Sequence, residues 1–283
     1  MPDGGSAVSQ YEKHHGLRDS TGSSVTQVLE AVNVAILMEK KADCWFCKAQ
    51  PNSEAVNHVH DEENPLSGGA GDAVPENDIA NNSSTLGGNL GTRPNWAVQI
   101  EQQPKSVTPA AHHLIPGNAS YKNATELHKY VSKKEGIISG DIGYNINAEE
   151  NGVWLPGNYA VRPWGTYTHQ NDYAVASMKA AAAQFHDAHP DYSTNVKNTL
   201  LSMAEKLDKA RETMKQPDKC PLCGSDMADK GKLRPPYGLV GKLHTVSSNH
   251  RRILLGRGLR EKFINAGYYT SSRVRLLFPS SSP

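Results

Sequence analysis

Residues 109–116 read Pro109-Ala110-Ala111-His112-His113-Leu114-Ile115-Pro116, and this run decides how the rest of the chain is interpreted. Adjacent side chains of an extended segment point to opposite sides of the backbone, because the side-chain period of a strand is two residues. One imidazole can therefore bind a metal ion while its neighbour faces a substrate. This division suits phosphodiester hydrolysis, in which a cation neutralises the phosphate and an imidazole takes a proton from water.

A second pair of histidines follows an alanine-rich helix that we predict over Tyr173–Gln184. His186 and His189 are three residues apart, so their rings can meet on one side of a helix end. Pro190 disfavours helical geometry at His189, which weakens that spacing argument and predicts a new helix start. His169 competes with this pair as a further metal ligand.

An Asn-Gly step lies between the two histidine clusters, at Asn151-Gly152. Asn before Gly is typical of a tight turn, and the amide of Asn151 is also suited to orienting an imidazole. Both interpretations stay open from the sequence. His128 lies in a predicted helix and is interpreted as a surface or packing residue.

Periodicity predicts the elements around these motifs. The predicted elements are helices over Val25–Lys41, Ala124–Lys134 and Tyr173–Gln184, a strand over Asn95–Ile100, a turn and short strand over Asn147–Pro156, and a helix from Pro190 to about Lys215 with a buried stripe at Tyr192, Val196, Leu200, Met203 and Leu207. Residues 61–94 are rich in Gly, Asn, Ser and Pro, and we predict a long loop there.

The 4 cysteines form two CxxC pairs. The pairs are Cys44 with Cys47 and Cys220 with Cys223. Two such knuckles supply the four thiolates of a closed tetrahedral zinc site, and their long separation in the chain predicts that one shared structural zinc joins distant parts of the fold. Disulfides, a redox CxxC, or a local site that includes His58 and His60 are the alternatives.

Charge is distributed unevenly along the chain. Acidic residues outnumber basic ones before Trp96, whereas Glu261 is the only acid after Gly231. A basic segment of this kind is typical of a protein that binds polyanions, although a solvated surface or a basic tail has the same composition. The arginines that we predict to contact substrate are Arg251, Arg252, Arg257 and Arg260.

Hydrophobic residues make up 37% of the 283, with 24 Gly and 17 Pro, which predicts much loop and a modest core. No run of about 18 apolar residues exists, so we expect no transmembrane helix. The first residues carry acids and no apolar run, which argues against a cleaved signal peptide. We therefore expect a protein that is made in the cytoplasm and, if exported, is exported without a signal peptide.

Three motifs, in this order, resemble the AHH nucleases of the His-Me finger (HNH, endonuclease VII-like) superfamily. The AHH triplet is Ala111–His113, the INxxxNGxxLP element is Ile146–Pro156, and the HxxHPxY element is His186–Tyr192. The resemblance covers roughly Ser106–Leu207. Residues 157–184 look longer than is usual for this family, which keeps His169 open as an alternative to His186.

The resemblance implies a ββα-metal core, in which a hairpin and a helix clasp one divalent ion. Carried over by position, His112, His186 and His189 are the metal ligands and His113 is the general base. Asn151 would orient the imidazole of His113 or hold the loop. Imidazole ligands leave the ion open among Mg, Zn, Ni and Mn.

Nucleases of this family commonly lie at the C-terminal end of secreted bacterial toxins, with a cognate immunity protein and a secretion system for delivery. By resemblance, we expect an antibacterial endonuclease that cuts DNA in the cytoplasm of a target cell. No segment is suited to reading bases, so little sequence preference is expected. A non-catalytic zinc-ribbon protein that binds DNA and a ribonuclease with the same fold are the two alternatives.

The sequence thus predicts an α+β protein with a His-Me finger core, flanking helices, long loops and a structural zinc site with four cysteine ligands. We divide it into residues 1–95 with the first knuckle and a linker, residues 96–215 with the nuclease core, and residues 216–283 with the second knuckle and the basic region.

Overall fold

The computed structural model describes residues 44–46, 77–157, 167–214, 216–229, 231–257 and 266–277. The helix predicted over Val25–Lys41 lies outside the described residues. Within them the fold is a mixture of helices and antiparallel sheet, so the predicted α+β class is confirmed. None of the helices in these ranges is both long enough and apolar enough to cross a bilayer.

The regular elements are helix α1 (Ser83–Asn89), strands β1 (Trp96–Ile100) and β2 (Gln103–His113), helix α2 (Thr125–Val131), strand β3 (Gly152–Gly157), helices α3 (Tyr167–Ala181) and α4 (Pro190–Met214), strands β4 (Ala228–Asp229) and β5 (Lys232–Leu233), and helices α5 (Gly238–Arg252) and α6 (Ser272–Leu277). The predicted strand at residues 95–100 and the helix that Pro190 opens are therefore confirmed.

The long strand β2 forms the centre of a three-stranded antiparallel sheet with β1 and β3 on its two sides. A two-residue turn joins β1 to β2, and Glu101 and Gln102 both have positive φ values, of 49° and 63°. Such a turn matches the natural twist of paired strands. In the pairing of β2 with β3, His112 lies opposite Val153 and His113 lies opposite Gly152. The histidine pair therefore occupies the last two positions of β2.

The main core lies between the sheet and helices α2, α4 and α5. The predicted stripe of α4 is buried along its whole length, and Tyr130 of α2 and Leu243 of α5 are buried in the same cluster. Phe46, from the first knuckle, is also fully buried and its ring meets Tyr130 edge to face. A second apolar cluster lies between the hairpin and helices α3 and α6.

Residues 83–89 form helix α1, where the sequence predicts a loop. Asn82 caps this helix, because its Oδ1 accepts hydrogen bonds from the backbone N–H groups of Ser84 and Thr85. Leu86 is its one buried side chain. A helix of two turns with a single apolar residue has no repeating stripe, so periodicity could not reveal it. The linker prediction is wrong for this part of the chain.

Helix α3 spans Tyr167–Ala181, six residues earlier at its start than predicted. Ala182 has a positive φ of 49°, which ends the helix before Gln184. The residues at the start of α3 are mostly polar and show no apolar periodicity. The sequence pattern therefore predicted the start of the helix too late.

Asn151 joins the end of β2 to the start of β3. Its Oδ1 accepts hydrogen bonds from the backbone N–H of Ile115 (2.7 Å) and from Ser247 Oγ (2.8 Å). Its Nδ2 donates to the carbonyl oxygens of Ile115 (3.0 Å) and Ile146 (2.8 Å). The side chain is fully buried, so each of these groups would lack a solvent partner if the amide were removed.

We predict that Asn151→Ala lowers the free energy of unfolding by about 3 kcal/mol, because buried partners lose hydrogen bonds that water cannot replace. Urea denaturation followed by circular dichroism measures the change. Asn123→Ala is the matched control, since the exposed amide of Asn123 bonds only to carbonyls of its own turn. Equal stability of the two variants would contradict this role of Asn151.

Candidate active site

Three imidazoles converge at the end of β2. The candidate ligand atoms of His112, His186 and His189 all lie within 4.8 Å of one another, and the three ring centroids are 4.9–5.1 Å apart. The sequence prediction that His112 meets the His186/His189 turn is therefore confirmed as geometry. Tyr192 packs edge-on against His112, and its hydroxyl donates to the carbonyl of Leu114 at 2.8 Å.

Two local features bring the second pair of histidines to β2. The backbone N–H of His186 donates to the carbonyl of Pro156 at 2.8 Å, which attaches this residue to the end of β3. His189 stands immediately before Pro190, and its carbonyl accepts from the N–H of Ser193. The start of α4 thus fixes His189, because proline favours the first turn of a helix.

Burial favours the neutral forms of the three rings. Burial lowers the pKa of His112 well below its ordinary value, and the neighbouring His186 and His189 lower it further. Burial, with a further contribution from His189, lowers the pKa of His186 to about 3. Burial also lowers the pKa of His189. Neutral imidazole nitrogens have the lone pairs that divalent metal ions bind.

The geometry of the cluster fits a metal ion. Nε2 of His112 is buried and has no hydrogen-bond partner within the described part of the chain. A buried polar atom without a partner is costly, and an ion shared with His186 and His189 would satisfy it. Each of the three side chains offers one nitrogen to such an ion.

His113, on the opposite side of β2, takes no part in this cluster. Its Nε2 lies 2.9 Å from Oδ1 of Asn147. Burial lowers the pKa of His113, although the contact with Asn147 and the charge of Asp78 act in the other direction. Its environment therefore favours a neutral ring, as a proton acceptor requires.

The partner of His113 is Asn147 and not Asn151. The hydrogen bonds of Asn151 go to the backbone and to Ser247, so of its two predicted roles the structure favours holding the loop. Asn147 is not predicted as a site residue from the sequence, although it is the first asparagine of the INxxxNG element. Its distance from His113 along the chain hid a contact that only the fold of residues 145–151 creates.

A cavity of about 610 Å³ opens beside both histidine groups. Its walls are formed by α1 and the end of β2, and it is lined by His112, His113, His186, His189 and Trp154 among others. Arg93 also lines it, is exposed, and donates a hydrogen bond to the carbonyl of Pro109. No Asp or Glu lines this cavity among the described residues, so its surface does not repel an anion.

Arg251, one of the four arginines predicted to contact substrate, has a structural role instead. Arg251 donates to the carbonyl oxygens of Gly152 and Glu149, at 2.5–3.1 Å, and so supports the turn before β3. Arg252 is exposed and contacts Asn249. Neither arginine lines the cavity. The side chain of Arg257 and the whole of Arg260 lie outside the described residues.

Two further histidines are engaged elsewhere. His169 forms an ion pair with Glu101 at 2.6 Å and is not part of the cluster, so the geometry favours His186 over His169 as the candidate ligand. His128 is buried, and its ring nitrogens contact Glu135 and the carbonyl of Tyr121, which agrees with a packing role.

Three thiols form a second cluster of candidate metal ligands. One sulfur each from Cys44, Cys220 and Cys223 lies within 4.8 Å of the others, and the sulfurs of Cys44 and Cys220 are 3.8 Å apart. None of the three is in a disulfide. Cys47, the fourth predicted ligand, lies outside the described residues, as do His58 and His60.

Comparison with known proteins agrees with this geometry. Residues 97–220 match the model of the AHH family, described as a nuclease family of the HNH/ENDO VII superfamily with conserved AHH. The match supports a nuclease and includes all four histidines of the site. No curated protein and no solved structure matches the chain.

We predict that His186→Ala weakens Mn²⁺ binding by more than about tenfold, because outer-shell partners of metal ligands already contribute 10–100-fold. Titration calorimetry measures the affinity, and Mn²⁺ is chosen because thiolates prefer softer ions. His169→Ala is the matched control, since His169 pairs with Glu101 outside the cluster. Unchanged Mn²⁺ affinity in His186→Ala, or an equal loss in both variants, would refute the three-histidine site.

Proposed function

We propose, from the match of residues 97–220 to the AHH nucleases, that this chain is a metal-dependent endonuclease that hydrolyses DNA with little sequence preference. The single observation that carries the proposal is the position of His113. Its ring lines the same cavity as the His112/His186/His189 cluster, yet it is hydrogen-bonded to Asn147 and not part of that cluster.

His112, His186 and His189 would hold one divalent ion, of Mg, Zn, Ni or Mn. Such an ion, when bound, supplies charge neutralisation at the phosphate and stabilises the leaving oxygen. His112 is buried and the other two rings are half-buried, and burial lowers the pKa of all three, which favours neutral imidazoles with lone pairs available for the ion. Tyr192 supports the ring of His112 from behind.

His113 would accept the proton of the attacking water. Its ring is fixed at the end of β2 by the strand register and by the contact with Asn147. A positioned imidazole contributes about 10²–10⁴ to the rate of such a step. His113 is therefore the residue whose loss separates catalysis from metal binding.

The substrate contact that we propose is Arg93. Its guanidinium lines the cavity at the same wall as Pro109, and no acidic side chain competes for it there among the described residues. Contacts to phosphate position a nucleic acid without reading its sequence. Arg257 and Arg260 remain candidates for further backbone contacts, whereas Arg251 supports the fold.

The biological setting that we propose is that of an antibacterial effector. The family resemblance described from the sequence supports it, and a toxin of this kind would act in the cytoplasm of a target cell after delivery by a secretion system. A cognate immunity protein would protect the producing cell. Expression in a bacterial cytoplasm, with degradation of genomic DNA as the readout, tests this setting.

We predict that purified protein nicks and linearises supercoiled plasmid in the presence of divalent metal, and that His113→Ala slows cleavage at least about 10²-fold, because the proton acceptor is lost. Gel electrophoresis over time measures the rate, and His169→Ala is the control that should cut normally.

A parallel incubation with total RNA separates the two substrates. Faster cleavage of RNA than of plasmid would convert the proposal into a ribonuclease. Undiminished cleavage of plasmid by His113→Ala would overturn the catalytic assignment, and binding without any cleavage by the natural protein would favour the non-catalytic DNA-binding alternative.

For the thiol cluster we propose one structural zinc, bound by Cys44, Cys220 and Cys223 with Cys47 as the fourth ligand predicted from the sequence. Cys44 and Cys220 are 176 residues apart in the chain, yet their sulfurs lie together. Thiolates are the preferred ligands of structural zinc. Cys44 and Cys220 are buried in the main core. The ion would therefore fasten both flanks of the chain to the helices that carry the active site.

We predict that Cys220→Ser loses zinc and lowers the free energy of unfolding by more than about 4 kcal/mol, as removal of a structural metal does. Metal analysis of protein purified without added metal, followed by urea denaturation, measures both quantities. Ser225→Ala is the control, because Ser225 contacts the Cys223 sulfur without being a candidate ligand. Protein that contains no zinc, or a Cys220→Ser variant of unchanged stability, would exclude the site.

A further inference from the structure

The segment before the matched region completes the surroundings of His113. Asp78 lies beside Asn145: its backbone N–H donates to the carbonyl of Tyr144 (3.0 Å), and its carbonyl accepts from the N–H of Ile146 (2.7 Å). These bonds hold residues 77–82, which we name the N-terminal strap, against the loop that carries Asn147. Gly117 permits the strap to pass close to its own backbone, because a Cβ at position 117 would overlap the carbonyl oxygen of Ile79.

The strap leaves the amide of Asn147 one orientation. Nδ2 donates to Oδ2 of Asp78 (2.9 Å) and to the carbonyl of Ala80 (3.0 Å). Oδ1 accepts from the backbone N–H of Asn82 at 2.9 Å. A reversed amide would place its oxygen against a carboxylate and a carbonyl, and its NH₂ against an N–H donor. Each of these partners has a fixed donor or acceptor role, so the hydrogen-bond network determines the orientation of the amide.

The orientation of Asn147 determines which nitrogen of His113 carries the proton. Because Oδ1 can only accept, Nε2 of His113 must be the donor in their 2.9 Å contact. A neutral imidazole has one N–H, so Nδ1 keeps its lone pair. The ring lines the cavity, and no hydrogen bond to Nδ1 exists within the ranges that the structure describes.

We propose that Asp78 is a positioning residue that acts through Asn147 to keep His113 in the Nε2–H tautomer, with Nδ1 as the proton acceptor. The tautomer follows from the hydrogen bonds alone, whereas its catalytic value rests on the function proposed above. Asp78 acts twice on the amide, since its Oδ2 accepts from Nδ2 directly and its Oδ1 accepts from the N–H of Ala80, whose carbonyl is the second acceptor.

Asp78 is exposed, so its replacement leaves no buried cavity and the variant is expected to fold. The substitution Asp78→Ala removes both carboxylate oxygens of Asp78. The substitution Asp78→Asn keeps one oxygen that can accept from Nδ2 of Asn147. The matched control is Asn89→Ala, because Asn89 donates to the backbone carbonyl of Asn147 and not to its amide.

The test measures the ¹⁵N chemical shifts of the His113 ring by NMR at neutral pH, with the resonances assigned by their absence in His113→Ala. The natural protein, Asp78→Asn and Asn89→Ala are expected to show the Nε2–H tautomer only. In Asp78→Ala a second population with the proton on Nδ1 is expected, with kcat lowered about tenfold and KM changed less than about twofold, a small part of what a positioned base contributes.

The outcomes separate this inference from the proposed function. An Nδ1–H tautomer in the natural protein, or an Asp78→Ala variant with one tautomer and unchanged kcat, overturns the role of Asp78 while leaving the nuclease intact. If neither the natural protein nor any variant cleaves nucleic acid while the tautomers are as expected, the proposed nuclease activity is overturned and the role of Asp78 in the hydrogen-bond network is supported. Loss of kcat in Asp78→Asn equal to that in Asp78→Ala would show that the charge matters and the acceptor does not, which also contradicts the proposal.

Discussion

The structure depends on one physical constraint: three imidazoles pack against one another at the end of a strand, with His112 buried and His186 and His189 half-buried. Burial lowers the pKa of each ring, and the Nε2 of His112 has no hydrogen-bond partner among the described residues. A protein does not ordinarily bury such atoms unless something compensates them. A divalent ion shared by His112, His186 and His189 would do so, and the surrounding architecture is then understood as the support for that arrangement.

Each supporting element contributes a different restraint. Strand β3 attaches His186 through the carbonyl of Pro156. Helix α4 begins at Pro190, directly after His189. Asn151 bonds to the backbone N–H of Ile115, just after the end of β2. Helix α5 then holds this junction through Ser247 and Arg251, which bond to Asn151 and to Gly152. The region that matches the family, residues 97–220, therefore relies on α5 from its C-terminal flank, and Asn147 in turn bonds to Asp78 from its N-terminal flank.

The sequence could predict the parts of the site that short motifs encode. Adjacent histidines in a strand, an HxxHP turn and paired CxxC knuckles are local motifs, and the family resemblance that they carry groups His112, His186 and His189 as one set of ligands. These three residues lie together in the structure, as do three of the four predicted thiols. Helix α4 was predictable because its apolar stripe repeats over many turns.

The remaining features depend on contacts that no local pattern encodes. Asn147 and Asp78 meet only because the strap crosses the loop before β3, and helix α1 has one buried side chain and no periodicity. Arg251 looked like a surface cation in a basic run, yet its position at the end of α5 directs it to backbone carbonyls. Residue type and local charge cannot distinguish these roles.

The most direct measurement is a crystal structure of the protein grown with Mn²⁺, with data collected at a wavelength where manganese scatters anomalously. We expect one strong anomalous peak at bonding distance from a nitrogen of each of His112, His186 and His189, with His113 beside the ion and not bound to it. A peak that includes His113 as a ligand, or no peak between the three rings, would contradict the three-histidine metal site.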